Sequence, residues 1–287
     1  MPLPCRLLLI PALLAATALH SIAGQSFSPT TDSSSGVSVR VESWLESCPS
    51  SGLVPLRLHV TNRSANTLGW EITAAGGQLT TRGTLTVEGG RDGEMALYAM
   101  TPPMERSSGF YRNLTVTVNG PGISNNFAGQ LNANTGGGSN HTEFIGMSKK
   151  LAAKGWSGLK AKLTTMTTDP FASGPSSSAK LVAGPSELDG SEVDMTQAPD
   201  DWRGYAGLAQ LWMDEGEWLG MSAQSKAALL DWVAMGGRVC IMVSDISDAR
   251  HLELKLPPLV KNKNHHGAGQ FSTFQWDGKT LPIDIIA

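Results

Sequence analysis

The segment from Pro199 to Asp245 constrains the fold most, because an apolar run, an acidic loop, an alanine- and leucine-rich stretch and a second apolar run follow one another in it. The runs Leu208 to Met213 and Val239 to Val243 have strand length and no polar alternation, the pattern of strands buried on both faces. Between them Ala223 to Met235 has helical composition, with Ser222 placed as N-cap and Gly236-Gly237 placed to end it. The order predicts a strand–helix–strand unit of a parallel sheet. Upstream, Glu143 to Met147 and Ala179 to Ala183 read as further strands, and Ser148 to Lys154 as a helix start. Downstream, Phe271 to Trp276 and Leu281 to Ile286 read as an antiparallel pair turning at Asp277-Gly278.

The first half has a different period. Short runs separated by turn signals recur at Val37–Leu45, Val54–Val60, Leu68–Ile72, Gln78–Val87, Glu94–Met100 and Phe110–Val118. In Leu114-Thr115-Val116-Thr117-Val118 the alternation places apolar residues on one face and threonines on the other, as in a half-buried antiparallel strand. The expected architecture is an immunoglobulin-like antiparallel β-sandwich over residues 36–120, joined by a Gly/Asn/Ser-rich linker, 121–140, to an α/β domain over 141–287. A chain of 287 residues accommodates two such cores.

Arg6, the apolar stretch Leu7 to Leu19 and the small residues at Ser21-Ile22-Ala23 form a signal-peptide pattern, so residues 1–23 are expected to be removed on export. The Ser/Thr-rich stretch 24–35 is expected to be a disordered leader. With charged residues at 16% and a net charge of −3, no basic field exists for nucleic acid. Cys48 and Cys240 fall in different domains and form no disulfide framework, and Cys240 lies within an apolar run as a packing residue.

Trp202-Arg203-Gly204-Tyr205, Glu217-Trp218-Leu219, Ala227 to Val233 and Gly236-Gly237 together resemble uncharacterised exported bacterial envelope proteins. Those carry a β-sandwich followed by a class I glutamine amidotransferase-like domain, an α/β three-layer, flavodoxin-like fold. The resemblance implies a periplasmic or envelope location, a protein partner there, and an anchor beyond the α/β domain, so that this chain reads as incomplete at its C-terminus. Such amidotransferases need a glycine-flanked cysteine on a strand-to-helix turn. Neither Gly-x-Cys-x-Gly nor Gly-x-Ser-x-Gly occurs, so no catalytic residue is assigned.

Asp214 and Glu217 follow one parallel strand and Asp245 and Asp248 the next, which would place them at the carboxyl edge of the sheet, where open α/β domains bind ligands. They are the ligand-edge candidates. His265 and His266 read as a polar loop rather than a zinc site, and His251 is the histidine to weigh with the acids. Gly136-Gly137-Gly138 lacks the lysine and hydroxyl of a phosphate loop. Asn62, Asn113 and Asn140 begin glycosylation-type triplets that a bacterial chain leaves unmodified. No metal and no cofactor is expected. The reading is a non-catalytic envelope scaffold or interaction protein; the alternative is a ligand-binding or metal-dependent enzyme domain that uses the acidic edge.

Overall fold

The computed structural model describes residues 24–49, 51–101, 113–132, 143–155, 188–245 and 263–279. Its first half contains β1 (Ser26–Phe27), β2 (Val37–Ser43), β3 (Leu53–Asn62), β4 (Leu68–Gly76), β5 (Leu79–Val87), β6 (Arg91–Met100), β7 (Asn113–Asn119) and β8 (Phe127–Asn132). Two antiparallel sheets result, ordered β1-β2-β3-β6 and β5-β4-β7-β8. Their inner faces follow the period-two pattern: Val39, Val41, Leu56 and Leu58 from one sheet meet Trp70, Ile72, Leu114 and Val116 from the other in a single buried cluster. Register places Val41 opposite Leu58 and Leu56 opposite Leu97.

Two expectations for this half are corrected. The stretch 24–35 is not wholly a leader, because Ser26 and Phe27 pair with Glu42 and Val41, and Thr31 bridges Ile123. Phe27 also lies against Gly129, which leaves no room there for a side chain. The stretch 121–140 is not wholly a linker, because Phe127–Asn132 is β8, paired along β7 with a bulge at Val116/Thr117. Glycine content concealed this strand: of its buried residues Ala128, Gly129 and Leu131, only two carry an apolar side chain, too few to show a period.

The second half contains β9 (Glu143–Ser148), α1 (Lys149–Ala152), β10 (Leu188–Val193), 3₁₀ turns at Met195–Gln197 and Trp202–Tyr205, β11 (Gln210–Asp214), α2 (Glu215–Gly220), α3 (Ala223–Ala234), β12 (Arg238–Val243), β13 (Lys263–His266) and β14 (Gly269–Gln275). The sheet order is β10-β9-β11-β12-β14-β13. Neighbours are parallel from β10 to β14, and β13 is antiparallel at the edge. The winding direction reverses between β9 and β11. Both faces are buried: Leu211, Met213, Val239 and Ile241 pack with α2 and α3 on one side. Trp212, Cys240 and Met242 pack with Met147 and Leu151 on the other. This is why those strands read as continuous apolar runs.

Ser222 caps α3 by accepting from Ser225 N, and Gly236, at φ +120°, follows its end. A Cβ on Gly237 would stand 2.4 Å from the Trp232 ring, so this glycine lets β12 start directly beneath the helix. Phe271 pairs with Asn264 of β13. The segment Leu281 to Ile286, expected as an antiparallel partner of this strand, lies outside the described residues together with Ala179 to Ala183. His265 and His266 belong to a strand, not a loop.

The two halves share a core. Trp44 and Leu45, just beyond β2, are buried in the cluster that covers the α2/α3 face of the parallel sheet. The Trp44 ring meets Tyr205 edge-on at 5.3 Å, and Tyr205 stacks on Trp232 at 5.9 Å. The indole N–H of Trp44 donates to Asp194 O at 2.9 Å, and Glu46 N donates to Ser191 Oγ at 2.7 Å.

Candidate functional site

At the carboxyl edge β9 ends in Ser148 and β11 in Asp214, on either side of the winding reversal. Asp214 is the N-cap of α2. Its Oδ1 accepts from Glu217 N at 2.7 Å, while Glu217 Oε2 accepts from Asp214 N at 3.0 Å, which completes a reciprocal capping box. Glu217 Oε2 also accepts from Ser148 Oγ at 2.5 Å and so ties the ends of β9 and β11 together. Lys150 forms an ion pair with Asp214, whose side chain is only 6% exposed. Burial raises the Glu217 carboxyl above the usual range; the hydrogen bonds from Asp214 N and Ser148 oppose this, the Asp214 charge adds to it, and Lys150 offsets part of it. Lys150 is raised chiefly by its bond to Asp214.

Beside this knot lies a cleft of about 380 Å³, bordered by Lys150, Asp214, Glu215, Ser244, Trp276 and Asp277. Ser244 Oγ donates to Glu215 Oε1 at 2.7 Å across it. Of the residues singled out by sequence, Asp214 and Glu217 meet, but as each other's capping partners rather than as a pair open to a ligand. Asp245 is exposed just past the end of β12. Asp248 and His251 lie outside the described residues. His265 and His266 pair with Gln270 and Gly269, at the start of β14 and thus at the opposite edge from the acids. Among the described residues no group of three or more His, Cys, Asp or Glu converges to hold a metal ion.

Sequence reasoning overlooked Ser148 and Lys150 as members of this knot. The Asp-x-x-Glu spacing of 214 and 217 is a capping-box signal and was available. The contributions of Ser148 and Lys150 depend on β9 lying beside β11, which no local pattern states.

No protein-family model matches the chain, and no curated protein matches it. Among solved structures, a FixG-related protein from Vibrio parahaemolyticus is similar at 13% identity and a TM-score of 0.26, covering 34% of this chain and 93% of that one. The exo-chitosanase CsxA of Amycolatopsis orientalis is similar at 10% identity and a TM-score of 0.25, over 72% of this chain and 23% of the enzyme. Bacteroides uniformis beta-glucuronidase 2 gives 10% and 0.27, over 81% of this chain and 34% of the enzyme. None of these matches shows a class I amidotransferase-like fold, and TM-scores at this level carry no function across to this chain.

Proposed function

We propose that the chain is a non-catalytic scaffold or interaction protein of the bacterial cell envelope, exported and engaged with a protein partner. In this reading an immunoglobulin-like sandwich supports a degenerate class I glutamine amidotransferase-like domain. The order of the described parallel strands, second-first-third-fourth-fifth from β10 to β14 when these five alone are counted along the chain, supports a flavodoxin-like ancestry for that domain. One observation carries the non-catalytic reading. The strand-to-helix turn after β11, at the edge where such a domain would hold its nucleophile, is occupied by Asp214 in ordinary extended geometry (φ −89°, ψ 165°), with its carboxylate committed to capping α2 and pairing Lys150. Cys240, the thiol nearest in sequence, is buried within β12.

Active-site-directed reagents test this directly. A glutamine-analogue diazoketone and a fluorophosphonate should both leave the native full chain unlabelled, and stoichiometric labelling of any cysteine or serine by either would overturn it. N-terminal sequencing of exported material should begin close to Gly24, whereas material beginning at Met1 would remove the envelope assignment. The cleft bordered by Trp276 favours a second reading, ligand or metal binding at the acidic edge. Equilibrium dialysis against calcium and manganese separates the two, since retention of either ion that is lost in Asp245→Asn would support the second reading.

A further inference from the structure

The ends of four neighbouring strands open onto the cleft of about 380 Å³ beside the capping knot. Lys154 follows β9, Gly216 follows β11, Ser244 follows β12, and Trp276 to Gly278 follow β14. The cleft therefore lies along the carboxyl edge of the parallel sheet and includes the winding reversal between β9 and β11, where open α/β sheets place ligands. Its volume falls among small-molecule sites, about 300–1,000 Å³. Lys150 is spent on Asp214, and Glu215 Oε1 accepts from Ser244 Oγ. What remains for a ligand is one exposed group of each sign, Lys154 and Asp277. A simple ion drawn to one of them is repelled by the other.

The accessible polar groups both donate and accept. Lys154 carries donors only. Asp277 Oδ1 accepts from Lys279 N at 2.9 Å, which leaves Oδ2 as an acceptor. Ser244, its proton turned to Glu215 at 2.7 Å, keeps its lone pairs and is exposed. A neutral ligand rich in hydroxyls suits all three, because each hydroxyl donates and accepts. The remaining wall is apolar. Trp276 is half-buried, packs against the face that carries Trp212 and Phe274, and borders the cleft with the rest of its ring. Gly278, at φ +78°, has open space where a Cβ would stand, so the rim beside the indole is clear. A rigid ring with hydroxyls at its edge and C–H groups on its faces meets the polar and the apolar walls together.

We infer that this cleft binds a pyranose sugar, with a C–H face against the Trp276 ring, hydroxyls donating to Asp277 and Ser244, and a further hydroxyl accepting from Lys154. The inference rests on the ligand-binding reading of the acidic edge and gives that reading a ligand class. A free monosaccharide and a residue of a glycan chain carry the same ring.

The Gly278 amide at the rim supplies a reporter resonance in the nitrogen-15-labelled full chain. Titration with the methyl glycopyranosides of D-glucose, D-galactose, D-mannose and N-acetyl-D-glucosamine should shift it saturably with at least one of them. Sorbitol, which carries the hydroxyls without the ring, should not. Trp276→Leu should abolish the response. Lys154→Ala and Asp277→Ser should each weaken binding about threefold to tenfold, as loss of one hydrogen bond does. Both positions are exposed, which keeps the test decisive if Trp276→Leu does not fold. Tighter binding of the matching methyl disaccharide would assign the site to a glycan chain, and equal or weaker binding to a free sugar; both sustain the site. No saturable shift with any of the four at about 100 mM, far weaker than a millimolar interaction, would overturn it. An equal response to sorbitol, or unchanged binding by both Lys154→Ala and Asp277→Ser, would also overturn it. Retention of calcium or manganese at the edge without a pyranoside response would overturn the sugar site alone and leave the broader ligand-binding reading standing.

Discussion

Glu217 shows how one carboxyl serves several ends at once. Its Oε2 closes the capping box and accepts from Ser148, yet the group sits where burial disfavours its charge. A folded-state pKa above the unfolded one means that the native state binds the proton more tightly. The associated stability is therefore fully present below the unfolded pKa and is lost as pH rises through the folded value. Asp194 runs the other way: desolvation raises it, but bonds from Thr196 and the Lys149 charge outweigh that and hold it low. Its contribution is present above the unfolded carboxyl pKa and lost as pH falls through the folded value. Glu217→Gln keeps an oxygen for both donors and does not titrate, so its stability relative to the parent should rise as pH climbs from the ordinary glutamate pKa of about 4.3 through the raised folded value; denaturant titrations at each pH would read this. Glu217→Ala should instead cost about 0.5–2 kcal/mol at neutral pH through loss of the box. Cys240→Ser places a hydroxyl in the apolar face with Trp212 and Met242 and should cost about 1–3 kcal/mol, and the native thiol should react slowly with a thiol reagent.

At the scale of elements, the helices are short and begin on polar caps: Ser148 for α1, Asp214 for α2 and Ser222 for α3. The 3₁₀ turns use Asp194 and Asp201 in the same way. Such caps matter more when a helix is only a turn or two long, because nucleation is spread over few residues. β8 carries the element-scale prediction. Its amides that face β7 should exchange slowly in hydrogen-exchange measurements, as expected for a strand flanked by Leu114 and Val116 opposite Leu131 and Gly129. Exchange as fast as in an open chain would restore the view of 121–140 as a linker.

For the whole molecule, the decisive feature is that the sandwich contributes Trp44 and Leu45 to the core of the parallel-sheet half. Gly52, at φ +99°, completes this seam, since a Cβ there would stand 2.5 Å from Ala206 O. The halves should then unfold together in one calorimetric transition. Trp44→Ala should lower the midpoint, at a cost of about 3–5 kcal/mol for the lost ring, and separate the halves into two transitions. Trp232→Ala, which removes the far end of the same aromatic stack, should cost a similar amount without separating them.

Local patterns determined a good deal of this protein. The period-two alternation of β7, the unbroken apolar runs of β11 and β12, and the Ser222 cap and Gly236-Gly237 stop of α3 are properties of neighbouring residues and are legible from them. So was the placing of Asp214 and Asp245 at strand ends. Pairing over distance was not legible. That β14 takes β13 as its antiparallel partner, that β8 lies beside β7 within a glycine-rich stretch, and that Ser148 and Lys150 reach Asp214 and Glu217 follow from strand order, which depends on burial summed over the whole sheet. The fate of the acids shows both levels: the Asp-x-x-Glu spacing is local and signals the capping box that Asp214 and Glu217 form, whereas the packing of β9 against β11 decided that Ser148 and Lys150 also engage these carboxylates and so spend them on holding the edge together.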